Sequence, residues 1–194
     1  REKMKSIGLI LCLVYSMSAG TVVFDGTETT GGSLIGGDFN LIDHHGNAVT
    51  EKNYLGKYSL VFFGFTHCPN VCPLGLQRMV AALQKIDSFE LKITPIFISV
   101  DPERDSPQRL QTYLQNFHHS IVGLTGTELQ LENVARAYRA YFSKSTDPNS
   151  ENYTYDHSAV IYLMDAQGKY VTHFSGTTPI DEMSALIAIN FNKK

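Results

Sequence analysis

Cysteine is scarce in this chain of 194 residues, which holds three: Cys12, Cys68 and Cys72. That excludes a small scaffold held together by many disulfides. Neither sign of charge dominates. Sixteen Lys and Arg stand against nineteen Asp and Glu, for a net charge of −3. This argues against a basic face for nucleic acid as the main function. A low apolar content is also missing: 43% of residues are apolar and 18% charged, so the chain is not broadly disordered. No internal repeat is present. The length suits one domain, or one domain with an appendage.

Long uncharged runs are few, and one of them is Ser6 to Phe24, nineteen residues preceded by Arg1, Lys3 and Lys5. A helix of ~20 residues spans the hydrocarbon of a bilayer. Basic residues ahead of such a run stay in the cytoplasm, so the remainder is expected outside. Residues 1–24 therefore read as a single-span anchor, or as a signal peptide cleaved near Ser18 to Gly20. Cys12 falls inside this segment and reads as one of its apolar residues. A lipid-attachment role is disfavoured by the bulky Leu11 before it. Residues 25–37 follow, nine of the thirteen being Gly, Ser or Thr, which is linker composition. The folded domain is expected over 38–194, long enough for its own core. Removing residues 1–24, which carry +2, leaves −5 on the exported part.

Within that part, Phe39 to Thr50 reads as an N-terminal hairpin turning at His45-Gly46-Asn47. Leu60 to Phe65 and Ile96 to Val100 are continuous apolar runs, as in strands buried on both faces. A helix after Pro73 carries Leu76, Met79, Val80 and Leu83 at helical spacing. Another has Ser106 as N-cap, Pro107 at its first position, and an inner stripe of Leu110, Tyr113, Leu114 and Phe117. A short strand is expected at Ile121 to Leu124. The helix after it carries Leu131, Val134, Ala135, Tyr138 and Phe142. A polar loop then runs from Ser143 to Asp156. Ala159 to Met164 and Tyr170 to Phe174 form a hairpin around Asp165-Ala-Gln-Gly168, and a last helix carries Ile180, Met183 and Ile187. This order predicts an α/β sandwich with a mixed sheet, of the thioredoxin-like kind.

The chemistry concentrates in Thr66-His-Cys-Pro-Asn-Val-Cys-Pro73, between a buried strand and the helix after it. A helix start offers free N–H groups and partial positive charge, which favour thiolates. Four-residue spacing across the first turn lets Cys68 and Cys72 point to one spot. Such a pair either binds a soft metal or cycles to a disulfide. Three residues lie between the cysteines rather than the two of thioredoxin-type motifs. Two sulfurs make an incomplete metal site, so a third ligand is sought among seven histidines. His44, His45, His118 and His119 sit in turns or helix ends and read as solvated, as does His173. His67 adjoins Cys68 but points away from it. His157, in Tyr155-Asp-His-Ser158, precedes a buried strand that can return it beside the cysteines.

The string Gly64 to Pro73, together with Phe97-Ile-Ser-Val-Asp-Pro-Glu-Arg-Asp105 and Asp156-His-Ser158, resembles the three signatures of the Sco/SenC family, in the family's order. The resemblance extends from Gly36 to about Asn190, and a membrane segment with a short linker ahead of the domain also fits it. It implies a thioredoxin-like fold, and copper held by Cys68, Cys72 and His157. Two thiolates and an imidazole suit three-coordinate Cu(I) and also permit Cu(II). It implies a metallochaperone or thiol-redox factor in assembly of cytochrome c oxidase, rather than a turnover enzyme. The partner would be the subunit carrying the dinuclear copper site, along with other copper or thiol carriers. Residues 6–24 would attach it to a membrane if uncleaved.

Asp101 could orient His157 or the thiol loop. Its simpler role is turn chemistry at Asp101-Pro102, with Arg104 and Asp105 pairing on the surface. The competing function is an exported thiol–disulfide oxidoreductase using Cys68 and Cys72 as a redox pair. The absence of a proline in Asp156-His-Ser-Ala159 disfavours general thioredoxin activity. A peroxidase of the same fold needs peroxide-orienting groups, and no clear set is present. With no long Arg-rich transit segment, the expected location is the bacterial inner membrane facing the periplasm, or the periplasm itself if the segment is cleaved.

Overall fold

A computed structural model describes residues 35–146 and 153–191. The anchor or signal segment 1–24, Cys12 within it, and most of the linker 25–37 lie outside the described residues. The N–H of Gly36 donates to Ala137 O at 2.9 Å.

Strands β1 (Asn40–Asp43) and β2 (Ala48–Thr50) form the expected N-terminal hairpin. The Asp43 carboxylate accepts the N–H groups of His45 and Asn47 and the Asn47 side-chain amide, closing the turn. Strand β3 (Tyr58–Gly64) is buried along its length after Tyr58. Helix α1 (Val71–Leu83) follows the thiol loop. A one-turn helix α2 (Phe89–Lys92), absent from the sequence reading, leads into β4 (Ile93–Ser99). Helix α3 (Pro107–Leu114) begins as expected: Ser106 Oγ accepts the Arg109 N–H. Strand β5 (Val122–Thr125) and helix α4 (Glu128–Tyr138) follow, the helix opened by a Thr127–Gln130 capping box. The chain ends in β6 (Phe142–Thr146), β7 (Tyr153–His157), β8 (Val160–Met164), β9 (Tyr170–Ser175) and α5 (Ile180–Phe191).

Seven strands make one mixed sheet in the order β2-β1-β5-β4-β3-β8-β9. Strands β3, β4 and β5 run parallel, and the outer strands join antiparallel. The central strands are buried on both faces, which is why they read as unbroken apolar runs. On one face Phe62 packs against Gly75 of α1, and Phe97 against Tyr113 of α3. Helix α5 lies on the same side as α1, where Arg78 donates to Thr178 O. On the other face Phe63 and Tyr162 pack edge-on to Tyr138 of α4. The thioredoxin-like α/β sandwich is thus as expected.

Two expectations are corrected. Helix α4 stops at Tyr138, because Arg139 takes a left-handed conformation (φ 53°) that ends it, and Phe142 opens a strand instead. The segment Ser143 to Asp156 is not a structureless loop. Strands β6 and β7 form a separate two-stranded ribbon, pairing Phe142 with His157 and Thr146 with Tyr153. Tyr153, Tyr155 and His157 alternate with more exposed residues, and their rings supply the burial. Tyr155 packs edge-on against Phe65 and at a tilt against Phe142, and Lys144 and Arg104 lie over the Tyr153 ring.

Candidate metal centre

The carboxyl end of β3 and the start of α1 bring the two thiols together. The loop from Phe65 tightens at Cys68, whose N–H donates to Phe65 O. Cys72 sits in the first turn of α1, and its N–H donates to Cys68 Sγ at 3.3 Å. Cys68 is 8% exposed and Cys72 is fully buried. Both are free thiols. Space for the Cys72 sulfur exists because residue 64 is glycine: a Cβ there would lie 2.7 Å from Cys72 Sγ and 2.8 Å from the Phe97 ring.

His157 returns to this spot from the end of β7, 85 residues on. Its Nε2 lies 3.2 Å from Cys72 Sγ, and its Nδ1 lies 3.3 Å from Ser158 O. A carbonyl can only accept, so Nδ1 carries the proton and the Nε2 lone pair faces the sulfur. The rings of Phe65 and Phe62 wall the imidazole in. The donor atoms of Cys68, Cys72 and His157 all lie within 4.8 Å of one another. The fold thus brings together the three residues that the family resemblance implies.

The two thiols are unequal. The neighbouring Cys72 side chain draws the Cys68 pKa well below the ordinary thiol value, against the opposing effect of burial; the N–H groups at Cys72 and Asn70 assist. The reciprocal interaction with Cys68, with burial added, pushes Cys72 upward. The first deprotonation of the pair is therefore favoured at the more exposed sulfur and disfavoured at the buried one. Two soft sulfurs and one imidazole nitrogen, converging in an apolar pocket, match the preferences of copper.

A buried polar cluster supports the site, and its main member was misread from sequence. Asp105 is fully buried. It accepts the Thr66 N–H at 2.9 Å, the Thr66 hydroxyl at 2.6 Å and the Ser99 hydroxyl at 2.6 Å. It fixes the thiol loop two residues before Cys68. Asp105 does not pair with Arg104 on the surface, because that arginine turns to Asp101 instead. Asp101, also buried, accepts from Arg104 Nε and from the Tyr153 hydroxyl, and Arg104 Nη1 donates to Tyr153 O. Asp101 touches neither His157 nor the thiol loop in these hydrogen bonds. It anchors the start of the strand that carries His157. The sequence signal for Asp105 was its place in the second signature; nothing local marked it as buried.

The other histidines stand apart. His67 turns from the sulfurs toward Thr66 and Asp105. His173 bonds the Tyr170 hydroxyl. His44 accepts the Gly123 N–H, while His118 and His119 face Glu90. Among the described residues, no helix is long and apolar enough to cross a membrane.

A model of the SCO1/SenC family matches residues 27–190. The human Protein SCO1 homolog, mitochondrial, is 42% identical over 160 residues, covering 81% of this chain and 53% of that protein. The chain thus spans about half the length of this relative. Among solved structures, Arabidopsis thaliana ScoI with copper bound matches at a TM-score of 0.78 and 40% identity, covering 82% of this chain and 99% of that one. Bradyrhizobium japonicum ScoI with copper bound matches at 0.74 and 41%, covering 80% and 98%.

Proposed function

This chain belongs to the SCO1/SenC family, and from that premise we propose that it binds copper through Cys68 Sγ, Cys72 Sγ and His157 Nε2. The observation that carries the reading is the convergence of those three donors within 4.8 Å. The copper-bound relatives support it. The residues are prepared for a soft cation. The Nε2 lone pair of His157 faces the sulfurs, the Cys68 thiol is favoured toward thiolate, and loading displaces the thiol protons that remain. The thiols must be reduced for this, so their oxidation state gates loading.

The role we assign is delivery of copper to the dinuclear copper site of a cytochrome c oxidase subunit. It rests on the family, described as one of cytochrome c oxidase assembly proteins. The small exposure of Cys68 gives a partner's sulfurs a route to the cargo. We place the domain on the outer side of the bacterial inner membrane. A mitochondrial relative and a bacterial one are both near, and cell fractionation decides between compartments.

A second role is favoured by the inequality of the thiols. The Cys68 thiolate attacks a partner disulfide, forming a mixed disulfide and releasing one partner thiol. Cys72 then attacks Cys68, closing a Cys68–Cys72 disulfide and releasing the second. Two electrons pass to the partner. Cys72→Ser should trap the mixed disulfide. Failure to trap one with an oxidised copper-site peptide would remove this role and leave copper binding intact.

Metal analysis of protein reduced and kept anaerobic tests the main reading. One copper per chain is expected, lost in Cys68→Ser and Cys72→Ser. In His157→Ala the affinity should fall by more than about tenfold. Unchanged binding in His157→Ala would remove it from the ligand set.

A further inference from the structure

Four histidines that look unrelated in sequence meet at the far end of the sheet from the thiols. His44, His45, His118 and His119 line one small cavity. Glu90, from the one-turn helix before β4, reaches the same place. The thiols lie at the carboxyl ends of β3 and β4, and this cluster lies before the amino ends of β4 and β5. Seven residues of β4 separate the two ends, about 20 Å at ~3.3 Å per residue.

Within the cluster three donor atoms surround one point. Glu90 Oε1 lies 3.9 Å from His118 Nε2 and 3.5 Å from His119 Nε2, and all three donors lie within 4.8 Å of one another. No hydrogen bond joins Glu90 to either ring among the described residues. Two imidazoles and a carboxylate are the donor types of the zinc and copper(II) class. Metal–donor bonds near 2.0–2.2 Å in a tetrahedron put donors about 3.3–3.6 Å apart, so small rotations of the exposed Glu90 and His119 side chains close the site.

We propose that Glu90, His118 and His119 form a second metal site, for a divalent ion of the zinc–copper(II) class, with water completing its coordination. His118 supplies the fixed ligand. Its ring packs at a tilt against Phe89, and its Nδ1 lies 2.8 Å from Ser120 Oγ. The Ser120 N–H also approaches that nitrogen at 3.2 Å, which favours the proton on Nε2 in the free protein. Binding at Nε2 moves the proton to Nδ1, which then gives up the Ser120 N–H and donates to Ser120 Oγ instead. His44 lies outside the group of three donors that meet within 4.8 Å. The bound ion joins the α2 turn to the α3–β5 connection and stabilises the fold by mass action. The site is independent of the copper reading at the thiols.

The test uses the full chain without an affinity tag, carrying Cys68→Ser and Cys72→Ser so that the thiol site is silent. Calorimetric titration with Zn(II) should show one equivalent bound. Glu90→Gln and His119→Gln, both at exposed side chains that leave the fold intact, should each weaken binding by more than about tenfold. The same protein loaded with Cu(II) should show nitrogen hyperfine splitting from two imidazoles by electron paramagnetic resonance. Absence of Zn(II) binding in the cysteine double variant overturns the proposal. So does binding that survives both Glu90→Gln and His119→Gln, since it then lies at other groups.

Discussion

At the scale of single residues, the site depends on what Gly64 lacks. Its missing side chain leaves the space that the Cys72 sulfur fills. Gly64→Ala should cost ~1–3 kcal/mol by overpacking and should also weaken copper binding by displacing that sulfur. Urea unfolding and a copper competition titration measure the two effects. Loss of stability with unchanged copper affinity would mean the sulfur does not depend on this contact.

Asp43 offers a pH prediction of definite sign. Burial raises its pKa, but the bonds from the Asn47 side chain and from the Asn47 and His45 N–H groups outweigh that and hold it below the ordinary carboxylate value. A depressed folded pKa gives stability that is present above the unfolded value near pH 4, and that is lost as pH falls through the lowered one. The stability difference between the native protein and Asp43→Asn should therefore be larger at about pH 6 than at about pH 3. Unfolding midpoints at the two pH values check it. A difference that stays constant would contradict it.

At the scale of elements, the ribbon of β6 and β7 decides where His157 stands. Tyr153, at its start, is held by its hydroxyl on Asp101 and by Arg104 on its carbonyl and its ring. Tyr153→Phe removes one hydrogen bond to a buried carboxylate, a loss of about 1.5–3 kcal/mol. It should raise amide exchange along β7 more than along β8, and weaken copper binding through the looser His157. Equal protection of β7 in both proteins would show that the anchor is not the Asp101–Tyr153 bond.

The same ribbon shows how far the sequence could be read. The central strands were legible because burial on both faces writes an unbroken apolar run. Helix α3 was legible from its cap and stripe, and α4 from its stripe alone. Strands β6 and β7 were missed because Ser, Lys and Thr dominate one arm, and the burial comes from alternate tyrosines in the other. The period-2 pattern of Tyr153, Tyr155 and His157 was present but short. Helix α2, at one turn, is too short to write a period. Cys68 and Cys72 were legible from local spacing. The place of His157 came from the family resemblance, since 85 residues of intervening chain carry no local sign of proximity. Asp105 was misread because its partners, Thr66 and Ser99, belong to other elements.

At the scale of the whole molecule, the parallel strands β3, β4 and β5 separate two ends of different chemistry. One end gathers two sulfurs and a nitrogen in an apolar pocket. The other gathers histidines and a carboxylate at the surface. Soft and borderline cations are sorted by these donor sets, so Cu(I) belongs at the first and a divalent ion at the second. With the domain carrying mild negative charge, cations and a partner protein suit it better than nucleic acid.

The most direct measurement is copper-edge X-ray absorption on the reduced protein loaded anaerobically with one equivalent of Cu(I). Two sulfur scatterers and one nitrogen scatterer are predicted, the nitrogen disappearing in His157→Ala. A copper shell without sulfur, or a nitrogen that persists in His157→Ala, would contradict a site built from Cys68, Cys72 and His157.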